Sequence, residues 1–285
     1  NKFFDTNRIN IIGSNAQFFT LNHLVDLFIY NEREINNDFR CLKKHKKSYE
    51  LDSNNTIIGD NIFVEKGAKV SCSILNSENG PIYIGQNAEI MEGSIVRGPF
   101  AICDNSTLKI GAKIYGATTI GPFCKVGGEI NNSVFFGFSS KAHDGFLGNS
   151  IIGEWCNIGA DTNTSNLKNN YTEIKLWDYN HEKFINTGLL FCGLIMGDHS
   201  KCGINTMFNT GTVVGISANI FGSGFPRNFI PSFSWGGNKG FSTFKLTKVF
   251  STAEQVFQRR SQSFEKLDED ILTHVFDMTK RYRKE

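Results

Sequence analysis

The sequence predicts an all-β fold: a left-handed parallel β-helix of hexapeptide repeats, with an N-terminal helical segment and C-terminal α-helices. Counting in sixes from Ile84 gives Ile84, Ile90, Val96, Ile102, Leu108, Ile114, Ile120 and Val126, all aliphatic. With 40% of the chain hydrophobic, such a run has a chance of about 0.0007, which rules out coincidence. A second run, Met196, Cys202, Phe208, Val214 and Ile220, keeps the step. Four places after these stops the residues are mostly small: Ala88, Ser94, Ser106, Ala112 and Thr118, then Ser200, Thr206, Thr212, Ala218 and Gly224. Neither a helix nor a two-sided sheet has this period. Three hexads folded into one triangular turn of about eighteen residues do, with turns stacked at about 4.8 Å. The left-handed form departs from the usual right-handed crossover.

Taken in order, Arg8, Ile9, Asn10, Ile11 and Ile12 read as a strand. From Asn22 the apolar residues Leu24, Leu27, Phe28, Ile35, Phe39 and Leu42 mark one side of a helical segment that ends in the basic stretch 43–47. That stretch reads as a solvated helix end rather than a phosphate contact. The coil begins at Thr56, with Ile58, Val64 and Val70 six apart, and turn residues interrupt it over 76–81. Its phase slips over residues 131–146 and resumes at Phe146, Ile152, Ile158 and Thr164. Residues 167–193 form a larger break, which reads equally as an extruded β-hairpin or as a surface loop. After Phe225-Pro226-Arg227, residues 231–240 are rich in Pro, Gly and aromatic residues and are expected to end the coil and cover its edge. Residues 244–260 and 268–282 read as helices, the second with Asp268 as its N-cap. This divides the chain at 1–55, 56–228 and 229–285.

A net charge of +2 with 20% charged residues argues against a nucleic-acid footprint. The seven cysteines include no CxxC pair, and those at Cys103, Cys124, Cys156 and Cys202 fall in the coil as small apolar fillers. An odd, scattered set points to a reducing compartment. No apolar run approaches the roughly 20 residues a membrane span needs. The expectation is a cytoplasmic protein with no membrane partner.

Departures from a repeat are where function concentrates. The slip contains Ser139-Ser140-Lys141-Ala142-His143-Asp144-Gly145-Phe146-Leu147-Gly148, followed by a block carrying Asn157, Ala160 and Asn166. A histidine in a loop leaving the coil, with amides one and two turns on, is a candidate acid-base site.

Ala-His-x-x-Phe-Leu-Gly followed by Ile-Gly-x-x-x-Asn-Ile-Gly-Ala-x-Thr-x-Thr-x-Asn resembles the acetyltransferase half of the bifunctional UDP-N-acetylglucosamine pyrophosphorylase/glucosamine-1-phosphate N-acetyltransferase family, in a divergent bacterial branch. The similarity runs over about residues 84–228; the hexads are common to many acyltransferases, whereas residues 143–166 are more specific. The resemblance implies that His143 is the catalytic base, taking a proton from the sugar ammonium so that the amine attacks the acetyl-CoA thioester. It places the amino sugar on Asn157 and Asn166, and a carbonyl-facing N–H at Ala160. Acetyl-CoA would lie outside the coil between subunits of a homotrimer, with Gly222 and Arg227 as contacts. Phe146 stands where the family has a tyrosine, and Asn131 where it has a phosphate-binding lysine. Residues 126–129 are shorter than their counterpart, so the alignment does not fix a substitute for that lysine; Lys113 and Lys125 are the candidate substrate-binding lysines. Residues 1–55 resemble only the tail of the family's nucleotidyltransferase domain, so pyrophosphorylase activity and its Mg are not expected of this chain.

Two rivals remain. A zinc enzyme on the same coil needs clustered histidines, and His143 and His199 are the two within it; Asp198-His199 as an alternative base reads instead as a solvated corner. The alternative to catalysis is a coil that only trimerises a nucleotidyltransferase or binds a sugar nucleotide.

Overall fold

The computed structural model describes residue 13 and residues 18–283; the strand expected over 8–12 lies outside the described residues. From Thr56 the chain winds as a left-handed parallel β-helix whose short strands stack into three flat faces. Face I is six-stranded, from Thr56–Ile58 to Phe146–Gly148, and is prolonged by the pair Asn163–Thr164 and Met207–Phe208. Face II has nine strands, from Ile62–Val64 to Phe229–Ile230. Face III has ten, of which the last, Gly240–Thr243, turns back antiparallel to Ser234–Gly237. Residues 231–240 therefore add strands to the coil rather than only covering its end.

On faces I and III one residue per strand points inward, while face II strands such as Ile82–Ile84 and Phe100–Ile102 bury both end residues, and in-register stacking lines these up as interior columns. All eight aliphatic stops from Ile84 to Val126 are at most 1% exposed. Hydroxyls at the corners tie successive turns: Ser106 Oγ donates to Gly121 O at 2.7 Å and accepts from Cys124 N, and Ser139 and Ser200 do the same two and four turns further. Small residues recur there because a hydroxyl or methyl fills the corner, whereas a larger side chain would not fit.

The columns correct two readings of the period. Ile57, not Ile58, is in register with the interior Leu75 and Val96. Leu147, not Phe146, occupies the column after Ile130, which leaves Phe146 on the outer surface. Both errors come from corners of unequal length. Val126 and Ile130 are four apart, as against six for Leu108 and Ile114, so the phase moves while the coil continues unbroken.

The outer side of face II is apolar at Val134, Ile151, Ile195, Val213 and Phe229, and it is covered. Residues 167–193 include an antiparallel hairpin, Lys175–Asp178 with Lys183–Asn186, that lays Ile174, Leu176 and Trp177 onto it. Trp177 stacks on Phe229 at 4.2 Å. Helices α1 (Asp26–Ile29) and α2 (Asn31–His45) close the same face through Val25 and Phe28, and Asn31 bonds Ala117 O and Thr119 Oγ1.

Helices α3 (Leu246–Gln258) and α4 (Lys266–Met278) follow. Glu265 caps α4, and Asp268 sits three residues in, reciprocating as the other half of a capping box rather than as the N-cap itself. Helix α3 docks on the corner between faces II and III. There Phe123, Phe138, Trp155 and His199 all hold left-handed backbone, a cost for bulky residues. Their rings stack, Phe138 on Trp155 at 4.1 Å, and Phe257 of α3 lies on Trp155 at 4.0 Å. Such pairs each contribute about 1 kcal/mol beyond burial, enough to offset the backbone cost.

Candidate functional site

His143 lies at the corner joining faces III and I. The rung Ser140–Lys141 precedes it and Phe146–Gly148 follows, so it belongs to a turn of the coil itself and not to a loop leaving it. The turn below is cut short: between Val126 and the strand Glu129–Asn131 stand only Gly127 and Gly128. A Cβ at Gly128 would meet backbone atoms of residues 143–145 at 2.9 Å, so only glycine lets the larger His143 corner sit over the notch. The recess is a cleft of about 430 Å³ lined by Lys109, Ile110, Gly128, Ala142, His143, Asp144, Ala160 and Asp161. His143 is exposed in it.

Ala160 is one turn above on the same edge. Its carbonyl accepts from Asn205 N at 2.8 Å, while its N–H has no partner among the described residues. Gly222 continues this edge beyond the rung Asn219–Ile220, with φ +99°. Imidazole, open amide and glycine thus share one corner of the prism.

The predicted polar contacts fall on the two faces that meet there. On face III, Lys125, Ser140 and Asn157 form one outer column in successive turns. The charge of Arg260, above all, together with burial and the charges of Lys109 and Arg259, holds the Lys125 ammonium below the ordinary lysine range. Arg260 is fixed by donating to Phe123 O at 3.0 Å. The end of α3 therefore adds cationic charge on the outer side of face III next to Lys125, from the edge opposite the cleft. Sequence reasoning reached Lys125 but not Arg259 or Arg260, because nothing in a helical pattern says where the helix docks.

On face I, Lys113 and Glu129 are neighbours in the outer column that leads to Phe146. The Phe146 ring and the Asn166 amide converge above Gly148, where a Cβ would lie 2.6 Å and 2.7 Å from them. Asn166 Nδ2 donates to Asn149 Oδ1 at 2.8 Å, and Asn163 Oδ1 accepts from Phe146 N at 2.9 Å. Asn131 neighbours Gly148 across the ladder and reaches Tyr115 O at 3.4 Å. Asn166 is at the far edge of face I, so it meets the cleft across that face, with Asn163 and Phe146 between. Arg227 is not part of this group; it lies in a depression with Pro231, Ser234 and Phe241.

His199 occupies the opposite edge of face III. It is stacked against Trp155 and Phe257 and mostly buried, and that burial pushes its pKa down to about 4. The solvated-corner reading is thereby corrected: this ring is neutral packing material, and it shares no site with His143. Among the described residues no group of three His, Cys, Asp or Glu side chains is arranged to hold a metal, and no helix is long and apolar enough to cross a membrane.

No protein-family model matches the chain. It is 30% identical over 193 residues to the bifunctional protein GlmU of Wigglesworthia glossinidia brevipalpis, covering 64% of this chain and 36% of that protein. It is 29% identical over 153 residues to the bifunctional sugar-1-phosphate nucleotidylyltransferase/acetyltransferase of Sulfurisphaera tokodaii, covering 50% and 35%. The chain thus spans 35% to 36% of the length of these two curated relatives. Among solved structures, the polySia specific acetyltransferase NeuO aligns with 16% identity over 74% of this chain and 99% of that one, at a TM-score of 0.35.

Proposed function

We propose that this chain is an acetyl-CoA-dependent N-acetyltransferase acting on an amino-sugar phosphate, with glucosamine 1-phosphate as the acceptor, within UDP-N-acetylglucosamine synthesis. The observation that carries the reading is His143, exposed in the cleft on the same edge as the open N–H of Ala160. The sequence relatives, whose names include a sugar-1-phosphate nucleotidylyltransferase/acetyltransferase, support the same class.

In this reading His143 accepts a proton from the acceptor's ammonium group. The freed amine attacks the thioester carbonyl carbon, and its electron pair forms the new C–N bond. Negative charge moves to the carbonyl oxygen, where the Ala160 N–H donates to it; one such donor is worth about 3 to 4 kcal/mol in a dry site. Collapse of the adduct breaks the C–S bond as the imidazolium of His143 passes the proton it holds to the departing thiolate; the freed imidazole then takes the second proton from the adduct nitrogen and releases it to solvent. The products are the N-acetyl sugar phosphate and CoA.

Asn157 and Asn166 hold the sugar from the two faces. Lys125, with Arg259 and Arg260 beside it, supplies positive charge for a phosphate, and Lys113 does so on face I. Gly222 leaves the upper edge open for the CoA chain, with Arg227 a more distant contact. A homotrimer would bring a neighbour against this edge, where Ile110 and Ile204 are 71% and 68% exposed. Nucleotidyltransferase chemistry is not assigned to these residues.

The test is product identification. Chain incubated with acetyl-CoA and, separately, glucosamine 1-phosphate, glucosamine 6-phosphate and galactosamine 1-phosphate is analysed by mass spectrometry. An N-acetylated product that forms best from glucosamine 1-phosphate supports the reading. No product from any of the three favours the coil as a non-catalytic trimerisation or sugar-nucleotide-binding module.

A further inference from the structure

The interior column of face III reads Val70, Ile90, Leu108, Val126, then Lys141, then Ile158, Cys202 and Ile220. Lys141 is 1% exposed. An ammonium in an otherwise apolar stack costs several kcal/mol, and an apolar residue of equal length would cost nothing. The position has some other use.

The contacts of Lys141 indicate what that use is. Nζ donates to His143 O at 2.8 Å and to Gly127 O at 3.2 Å. At other turns of this face, the N–H that follows the interior residue bonds to the next turn: Lys109 N to Val126 O, Gly127 N to Lys141 O, Gly159 N to Cys202 O and Gly203 N to Ile220 O. Among the described residues the corresponding bond from Ala142 is missing, and the ladder there pairs only Ser140 with Asn157. The His143 corner therefore leaves the ladder at its first residue. It is held by Asp161 N on Asp144 O at 3.0 Å, by Glu129 N on Gly145 O at 3.3 Å, and, at His143 itself, by the ammonium inside the coil.

We propose that Lys141 is a positioning residue for His143, clamping its carbonyl from within the prism so that the imidazole is presented to the cleft. Burial lowers the lysine's pKa to about 8, while the charges of Asp144 and Cys202 oppose that shift, so the clamp is an ammonium at neutral pH. This inference rests on the proposed role of His143, but part of its test does not require turnover.

Lys141→Met preserves length and removes the donor. The expected result is a melting temperature equal to or above that of the unaltered chain. The value of kcat is expected to fall by roughly 10- to 100-fold, as for a misplaced catalytic group. KM for acetyl-CoA and for glucosamine 1-phosphate should stay within about twofold, because the outer-face contacts are untouched. Independently of activity, amide exchange over residues 142–146 should accelerate while that of the neighbouring rungs does not. Unchanged kcat, unchanged exchange at that corner, or loss of folding in step with kcat would each overturn the proposal. If the unaltered chain shows no turnover, the functional reading fails, and the exchange measurement alone decides for or against the clamp.

Discussion

Replacing Lys141 by Met should change how stability depends on pH, by an amount that follows from where the amine sits. Its pKa falls from the ordinary 10.5 to about 8 because the side chain is buried. A lowered lysine pKa means that the folded state resists the proton. Below pH 8 both states are protonated and the fold carries the whole penalty, about 3 kcal/mol for that displacement. Between pH 8 and 10.5 the unfolded chain binds more protons than the native one, so stability rises with pH. Above 10.5 the penalty is gone. Cys124, Cys156 and Cys192 act oppositely, since burial pushes each thiol up to about 12 and unfolding lets it ionise. Those contributions are common to both proteins and cancel in the difference; Cys202, which interacts with Lys141, is the exception. Urea unfolding of both proteins at pH 7 and pH 10, extrapolated linearly, should show Lys141→Met ahead at pH 7 by about 3 kcal/mol less the two lost hydrogen bonds. The gap should narrow by about 2 to 3 kcal/mol at pH 10. A gap that does not depend on pH would refute the placement of a charged amine in the column.

Other perturbations test the frame around the cleft. Phe257→Ala removes the ring stacked on Trp155 and should cost about 3 kcal/mol, with accelerated amide exchange across α3; if phosphate binding uses Arg259 and Arg260, KM for the phosphorylated acceptor should rise as well. Gly145→Ala places a methyl 2.2 Å from Thr162 O at a φ of +117°, and should lower stability by about 2 to 3 kcal/mol in thermal unfolding; an unaltered melting temperature would mean the corner is looser than described. Asn157→Ala, on the outer column of face III, should reduce acetyl transfer and leave assembly unchanged, as checked by rate and by sedimentation.

The coil was legible because an inward residue in every hexad has no substitute in any other regular structure. Where corners keep their length, from Ile84 to Val126, every position follows the count. At Gly127-Gly128 the corner shortens, and from there the count misplaced Phe146 and passed over Lys141 as part of a slip. Counting back six from Leu147 would have found the lysine, but nothing polar is expected in such a column. The covering of face II also left a signal. Ile151-Ile152, Leu194-Ile195-Met196 and Val213-Val214 are continuous apolar runs, the mark of strands buried on both sides. The docking of α3, and with it Arg259 and Arg260, depends on a ring meeting a ring across about a hundred residues, which no local pattern encodes. His143 was legible as a residue, and its place at a notch made by two glycines was not.

The central claim is that one imidazole at the corner between two faces frees an amine to attack a thioester. It is tested most directly by following CoA thiol release from acetyl-CoA with glucosamine 1-phosphate, for the unaltered chain and for His143→Ala. The account predicts steady release by the first, and a rate at least about 100-fold lower for the second, the lower end of what a general base contributes, with the melting temperature unchanged because the ring is exposed. Equal rates in the two proteins would contradict it.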